Sequence, residues 1–64
     1  MFTIKVYINN KLIKTIQNED KTLMVDRFEK LSITSEKYTM ATGKSSKIEL
    51  YENNKMIKIY ELEA

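Results

Sequence analysis

Residues 51–58 read YENNKMIK, and residues 7–14 read YINNKLIK; the two stretches agree at six of their eight positions. In each stretch an Asn-Asn pair separates two runs in which apolar and polar side chains alternate. Asparagine tolerates the positive φ angle that a type I′ turn requires at both central residues, so each stretch predicts a tight β-hairpin. Two such hairpins favour an arrangement about a pseudo-twofold axis.

A two-residue turn sets the predicted strand register, because side chains alternate between the two faces of a sheet. If Asn53 and Asn54 form the turn, Leu50 opposes Ile57 on an aliphatic face. Tyr51 opposes Met56 on the other face, and Tyr60 follows Met56 on that side. Both faces of the second hairpin are then chemically consistent, which supports this register.

The same register in the first hairpin places two like charges opposite each other, at Lys5 and Lys14. Like charges directly opposed across two strands are destabilising. A partner's carboxylate or phosphate, or water, would relieve the repulsion. We therefore take Lys5 and Lys14 as candidates for setting the charge preference of a binding surface.

The middle of the chain predicts a helix. Met24, Phe28 and Leu31 fall on one face of the stretch 22–31, TLMVDRFEKL. Its start can be capped by Asn18, Asp20 or Thr22. Residues 33–43, ITSEKYTMATG, are compatible either with an additional short helix that ends at the only glycine, Gly43, or with a strand.

These elements predict one α+β domain over residues 1–64, with the order β-β-α-β-β. Two similar hairpins form a small antiparallel sheet, and the helix packs on one face of it. The alternative is an all-β meander in which residues 27–34 form an extra strand. The predicted core consists of Phe2, Ile4, Val6, Ile8, Ile13, Phe28, Leu31, Ile48, Leu50, Ile57 and Ile59.

The composition argues against an enzyme. The 64 residues contain no Cys and no His, so the commonest general base, the commonest transition-metal ligand and any thiolate site are missing. The stretch TGKSS at 42–46 lacks the earlier glycine of a phosphate-binding loop, because Tyr38 occupies that position. We expect no catalytic residue, no cofactor and no metal.

Hydropathy and codon usage suggest where such a protein works. No apolar run approaches the roughly 20 residues of a membrane span, so we expect a cytoplasmic protein with no membrane partner. The abundant Lys, Ile, Asn and Tyr have A/T-rich codons. Together with the small size, this composition suggests an accessory protein of a phage or mobile element.

The predicted outer sheet face is about half apolar, whereas a solvated face is usually polar. Apolar patches rimmed with charge usually mark contact surfaces. We therefore predict a protein-binding module, whose partner is another protein or a second copy of the chain. Nucleic-acid binding by Lys and Tyr and a self-assembling homodimer are alternatives, as is coverage of this face by residues 33–43. The candidate contact residues are Tyr7, Leu12, Tyr51, Met56 and Tyr60.

Overall fold

The computed structural model describes residues 1–63 and confirms an α+β fold with the order β-β-α-β-β. The four strands form one sheet in the order β2-β1-β3-β4, and every neighbouring pair is antiparallel. A single long helix packs on one face, so the all-β alternative is wrong. The elements are β1 (Phe2–Ile8), β2 (Lys11–Asn18), α1 (Lys21–Thr42), β3 (Ser46–Glu52) and β4 (Lys55–Leu62).

Both asparagine pairs form the predicted tight turns. Asn9 and Asn10 have φ angles of 50° and 66°, and Asn53 and Asn54 have φ angles of 48° and 71°. All four residues are therefore in the left-handed region that a type I′ turn requires. Each turn also donates a backbone hydrogen bond of 3.0 Å to the segment beside it, from Asn9 to Ser45 and from Asn53 to the carbonyl of Met1.

The two hairpins are related by a pseudo-twofold axis through the central strand pair. Lys5 of β1 opposes Glu49 of β3, and these two residues occupy equivalent positions in the two hairpins. The turns, the turn hydrogen bonds and the register shifts all recur at equivalent positions. The two copies of the repeated sequence thus fold alike. Helix α1 departs from this symmetry, because it covers only one face of the sheet.

A β-bulge in each edge strand corrects the predicted register. The pairing shifts between Leu50 and Tyr51, so that Ile57 is the extra residue and Leu50 opposes Lys58. In the first hairpin the extra residue is Ile13. Because one extra residue moves every later side chain to the opposite face, the predicted pair of Leu50 and Ile57 is wrong.

The bulge also overturns the predicted repulsion between Lys5 and Lys14. Lys5 opposes Thr15, and Lys14 opposes Val6 on the face that packs against α1. The two ammonium groups therefore belong to opposite faces of the sheet. The predicted opposition of like charges is therefore wrong, and Lys14 does not lie on the outer surface with Lys5.

Helix α1 is one continuous helix of 22 residues, which replaces the predicted short helix and separate segment 33–43. Asp20 caps its start by accepting a hydrogen bond from the backbone N–H of Leu23, at 3.1 Å. Gly43 ends it in the left-handed conformation, with φ 73°, as the helical alternative for 33–43 required. Within residues 1–63, no helix combines the length and the apolar character needed to cross a membrane.

The core lies between α1 and the two central strands. Met24, absent from the predicted core, is fully buried, whereas Ile13, Ile57 and Ile59 are exposed. The three isoleucines belong to edge strands that α1 covers little, and the bulges displace them from the predicted faces. The buried apolar residues are Phe2, Ile4, Val6, Met24, Phe28, Ile48 and Leu50, with Ile16, Val25, Leu31 and Tyr60 packed around them.

Candidate protein-binding surface

The sheet face turned away from α1, called the outer face below, has no element of residues 1–63 packed over it. The strand register arranges its side chains in three rows that cross the sheet from β2 to β4. The rows are Leu12–Tyr7–Lys47–Glu61, Thr15–Lys5–Glu49–Ile59 and Gln17–Thr3–Tyr51–Met56.

Glu49 is the buried centre of the outer face. Only 8% of its surface is exposed, although no helix or loop lies above it. Its carboxylate accepts a hydrogen bond of 2.9 Å from the hydroxyl of Tyr51, and its other oxygen lies 3.9 Å from the Nζ of Lys47. A buried carboxylate is stable only when it is paired and hydrogen-bonded, and these neighbours supply both interactions.

Two lysines cover the tyrosine rings beside Glu49. The Nζ of Lys5 lies 4.9 Å from the centroid of the Tyr51 ring, and the Nζ of Lys47 lies 4.5 Å from that of Tyr7. Both distances suit cation–π attraction. Lys5, Tyr7, Lys47, Glu49 and Tyr51, called the central cluster below, therefore hold one another in place before any partner binds.

The surroundings of Glu49 raise the pKa of both tyrosines. For Tyr51 the largest cause is the hydrogen bond to Glu49, followed by burial and by the negative charge. For Tyr7 burial raises the pKa most, and hydrogen bonding to Glu49 and its charge act in the same direction. Both phenols therefore stay protonated at neutral pH and can donate hydrogen bonds.

Exposed apolar side chains lie at both edges of the outer face. Leu12, on β2 beside Tyr7, is 47% exposed. Met56, on β4 beside Tyr51, is 45% exposed, and the adjacent Ile59 is 47% exposed. The outer face thus combines a polar, internally bonded centre with apolar groups at either side.

The structure brings together most of the predicted contact residues. Tyr7, Leu12, Tyr51 and Met56 all lie on the outer face with Lys5, as the alternation predicted. Their role in binding stays a prediction.

The predicted position of Tyr60 on the outer face is wrong. It opposes Ile48 and packs against the core beneath α1, because the extra residue Ile57 reverses the faces of β4 beyond the bulge. Its hydroxyl lies 3.5 Å from a carboxylate oxygen of Glu36, to which it donates. Burial raises the pKa of Tyr60 most, and the charge of Glu36 and the hydrogen bond to it act in the same direction. Ile59 lies on the outer face in place of Tyr60, and no feature of the sequence indicated this position.

Sequence reasoning also missed the central role of Glu49. Its position two residues before Tyr51 places both on one face of a strand, and that spacing was the available signal. Among residues 1–63, no three acidic side chains come close enough together to hold a metal ion. No protein-family model, no curated protein and no solved structure matches this chain.

Proposed function

We propose that this protein is a non-enzymatic binding module that contacts another protein through its outer face. The observation that carries the proposal is the uncovered outer face itself, where Leu12, Met56 and Ile59 remain exposed around an ordered centre. Tyrosine and methionine, both present on the outer face, are enriched at protein contact surfaces. A cytoplasmic location and an origin in a phage or mobile element belong to the same proposal.

The central cluster would reduce the entropic cost of binding. Ordering a flexible side chain at an interface costs about 0.5–1.5 kcal/mol. The cation–π contacts of Lys5 and Lys47 and the hydrogen bond from Tyr51 already restrain three of these side chains. A partner would therefore meet a surface that needs little reordering, and tyrosines supply large contact areas with few rotatable bonds.

The same contacts make protein a better partner than nucleic acid. Bases bind to sheet surfaces by stacking on exposed aromatic rings. The rings of Tyr7 and Tyr51 each have a lysine ammonium over one face. The outer face also carries Glu49 and Glu61, which oppose phosphate binding. A salt-sensitive gel shift with a single-stranded oligonucleotide would favour nucleic acid instead.

Capture experiments with paired methionine variants test the proposal. Met56→Lys places a charge on the outer face, whereas Met40→Lys places one on α1, where Met40 is 78% exposed. Both variants should fold, because both side chains face solvent. We expect the protein to retain a specific partner from the lysate of its host, Met56→Lys to lose it and Met40→Lys to keep it. Equal capture by all three proteins would contradict the assignment of the outer face.

Self-association through the outer face is the second candidate. The pseudo-twofold axis through Lys5 and Glu49 makes the two halves of the face similar to each other, which suits a symmetric contact between copies. A homodimer of this kind melts at a temperature that rises with protein concentration. A melting temperature that stays constant over a hundredfold dilution would exclude it.

A further inference from the structure

An apolar groove lies on the other side of the sheet, between α1 and the edge strand β2. The volume of this groove is about 270 Å³. Ile8 and Ile13 of the first hairpin line it from below, and Leu31 and Tyr38 line it from α1. We call this groove the β2 cleft. It shares no residue with the outer face.

The β2 cleft exists because α1 lies off-centre over the sheet. The helix packs mainly on β3 and to a lesser extent on β1 and β4, so β2 is left almost bare. Every residue of β2 except Ile16 is exposed. The bulge adds to this exposure, because its extra residue, Ile13, points into the cleft and is 57% exposed.

An unpaired strand edge borders the cleft. Within residues 1–63, β2 pairs with β1 and with no other strand, so its second row of backbone N–H and C=O groups is open. A free edge next to an apolar groove is the geometry in which a sheet accepts an extended peptide as an additional strand. The edge supplies backbone hydrogen bonds, and the groove takes alternate side chains.

The charges around the cleft are mostly positive. Lys11 and Lys14 lie on β2, and Arg27 lines the neighbouring depression on the same flank of α1, together with Leu31. Lys30 lies on that flank as well, and its Nζ forms a salt bridge of 3.0 Å with a carboxylate oxygen of Asp26.

The opposite flank of α1, over β4, carries charges of both signs. Glu29 and Glu36 lie on it, and Glu36 accepts the hydrogen bond from Tyr60 of β4. Lys21 lies on the same flank, and the Nζ of Lys58 on β4 lies 5.8 Å from the centroid of the Phe28 ring. The cleft side of the protein, which has an excess of positive charge, therefore attracts negative groups more strongly than the other flank does.

We propose that the β2 cleft binds an extended acidic peptide segment, which adds to the sheet beside β2 and carries both apolar and acidic side chains on the face turned toward α1. Its apolar side chains enter the groove between Ile13 and Tyr38, and its carboxylates face Lys14 and Arg27. A second copy fits the edge less well, because a β2–β2 contact would bring the lysines of both copies together.

A pair of synthetic peptides tests this proposal. The probe is a fluorescein-labelled peptide of about eight residues, the length of β2. Every second residue is Thr, and the positions between are Val and Glu by turns, so that Val and Glu share one face of the added strand. The control peptide has Lys in place of Glu. We expect fluorescence anisotropy to show binding of the acidic peptide that weakens with salt, and no binding of the lysine peptide.

Variants then locate the binding site. Ile13→Ser removes apolar area from an exposed residue without disturbing the core, and we expect it to weaken binding about tenfold. Lys14→Glu with Arg27→Glu should abolish the preference for the acidic peptide. Met56→Lys, on the outer face, is the matched control and should bind as the unchanged protein does.

The proposal would be overturned by no binding of the acidic peptide at millimolar concentration, by equal binding by Ile13→Ser, or by a dimer in sedimentation that Ile13→Ser dissociates. Amide chemical-shift changes should be confined to β2 and the adjacent flank of α1, and changes centred on the outer face would also refute it. Because the residues differ, failure here leaves the outer-face proposal standing, and loss of outer-face capture leaves this one standing.

Discussion

Lys5 and Glu49 oppose each other at the centre of the sheet, yet the Lys5 ammonium lies over the ring of Tyr51, 4.9 Å from its centroid. The Glu49 carboxylate is instead bonded by the Tyr51 hydroxyl and approached by Lys47. Tyr51 thus interacts with Lys5 through its ring and with Glu49 through its hydroxyl. Substituting one member of this cluster should therefore change the behaviour of the others.

Stability should fall at alkaline pH because of Tyr51. Its pKa is raised in the folded protein, so the folded state holds this proton more tightly than the unfolded state, in which the pKa is about 10. The contribution is complete below about pH 10 and is lost as pH rises through the folded-state pKa. Melting temperatures measured from neutral to strongly alkaline pH should fall more steeply for the unchanged protein than for Tyr51→Phe. Parallel curves would contradict this.

Removing the charge of Glu49 should lower the pKa of Tyr51. The hydrogen bond to Glu49 is the largest cause of the raised pKa, and the carboxylate charge acts in the same direction. Glu49→Gln keeps an acceptor oxygen but removes the charge, so Tyr51 should ionise at lower pH. Tyrosinate absorbance, followed during an alkaline titration, reports the change. A titration curve identical to that of the unchanged protein would show that the carboxylate does not act on the phenol.

The hydroxyl of Ser46 should stabilise the contact between β3 and the second half of α1. Ser46 is buried, shares a hydrogen bond with the Thr39 hydroxyl, and donates to the backbone carbonyl of Ser35 at 3.2 Å. Ser46→Ala leaves buried polar groups without a partner, and we expect a loss of about 1–3 kcal/mol in urea unfolding. Thr34→Ala, at an exposed position of the same helix, is the control and should change stability by less than about 0.5 kcal/mol.

A double-mutant cycle can isolate this hydroxyl pair. Thr39→Val removes the partner of Ser46 while keeping the shape of the side chain. Because both single variants disrupt the same interaction, the double variant should lose less stability than the sum of the two losses. Strict additivity would show that the two hydroxyls act independently.

Two methionines of α1 provide a matched test of the core. Met24 is fully buried, whereas Met40 is 78% exposed. Met24→Ala creates a cavity and should cost about 2–5 kcal/mol, which is most of the stability of so small a domain. Met40→Ala should alter stability by less than about 0.5 kcal/mol. Similar unfolding midpoints for the two variants would mean that α1 is rotated relative to the position described.

The second turn position of each hairpin should discriminate strongly between residue types. Asn54 has a φ of 71°, where a Cβ atom is unfavourable and glycine is not. Asn54→Ala should therefore cost about 1 kcal/mol, whereas Asn54→Gly should be neutral or slightly stabilising. The equivalent substitutions at Asn10, with φ 66°, should behave in the same way. Chemical denaturation measures all four variants, and an alanine that costs nothing would refute the turn assignment.

Local patterns in the sequence predicted most of the elements. The asparagine pairs indicated both turns, and the spacing of Met24 and Phe28 indicated the buried face of α1. Asp20 was one of three proposed caps, and the structure selects it. These features depend on residues within a few positions of one another, so that turn and helix preferences could be read directly.

The register beyond each turn could not be read in the same way. Alternation placed Tyr60 on the outer face and Ile59 in the core, and the bulge at Ile57 exchanged them. A bulge depends on the twist of the strand and on what the opposite strand and the helix accept, and no residue type marks it in this chain. The faces of the candidate residues were therefore predicted correctly only on the central strands and between each turn and its bulge, as for Lys5, Tyr51 and Met56.

The sequence by itself determined two hairpins with asparagine turns, a helix between them and a chain without Cys or His. The tertiary structure decided which face each edge-strand side chain occupies and that residues 33–43 continue the helix. It also decided that α1 lies over β3, leaving the outer face and the β2 cleft uncovered. The physical reason is the distance along the chain over which each feature is set. Turns and helix caps depend on neighbouring residues, whereas the face that a side chain occupies and the strands that the helix covers depend on contacts between distant segments.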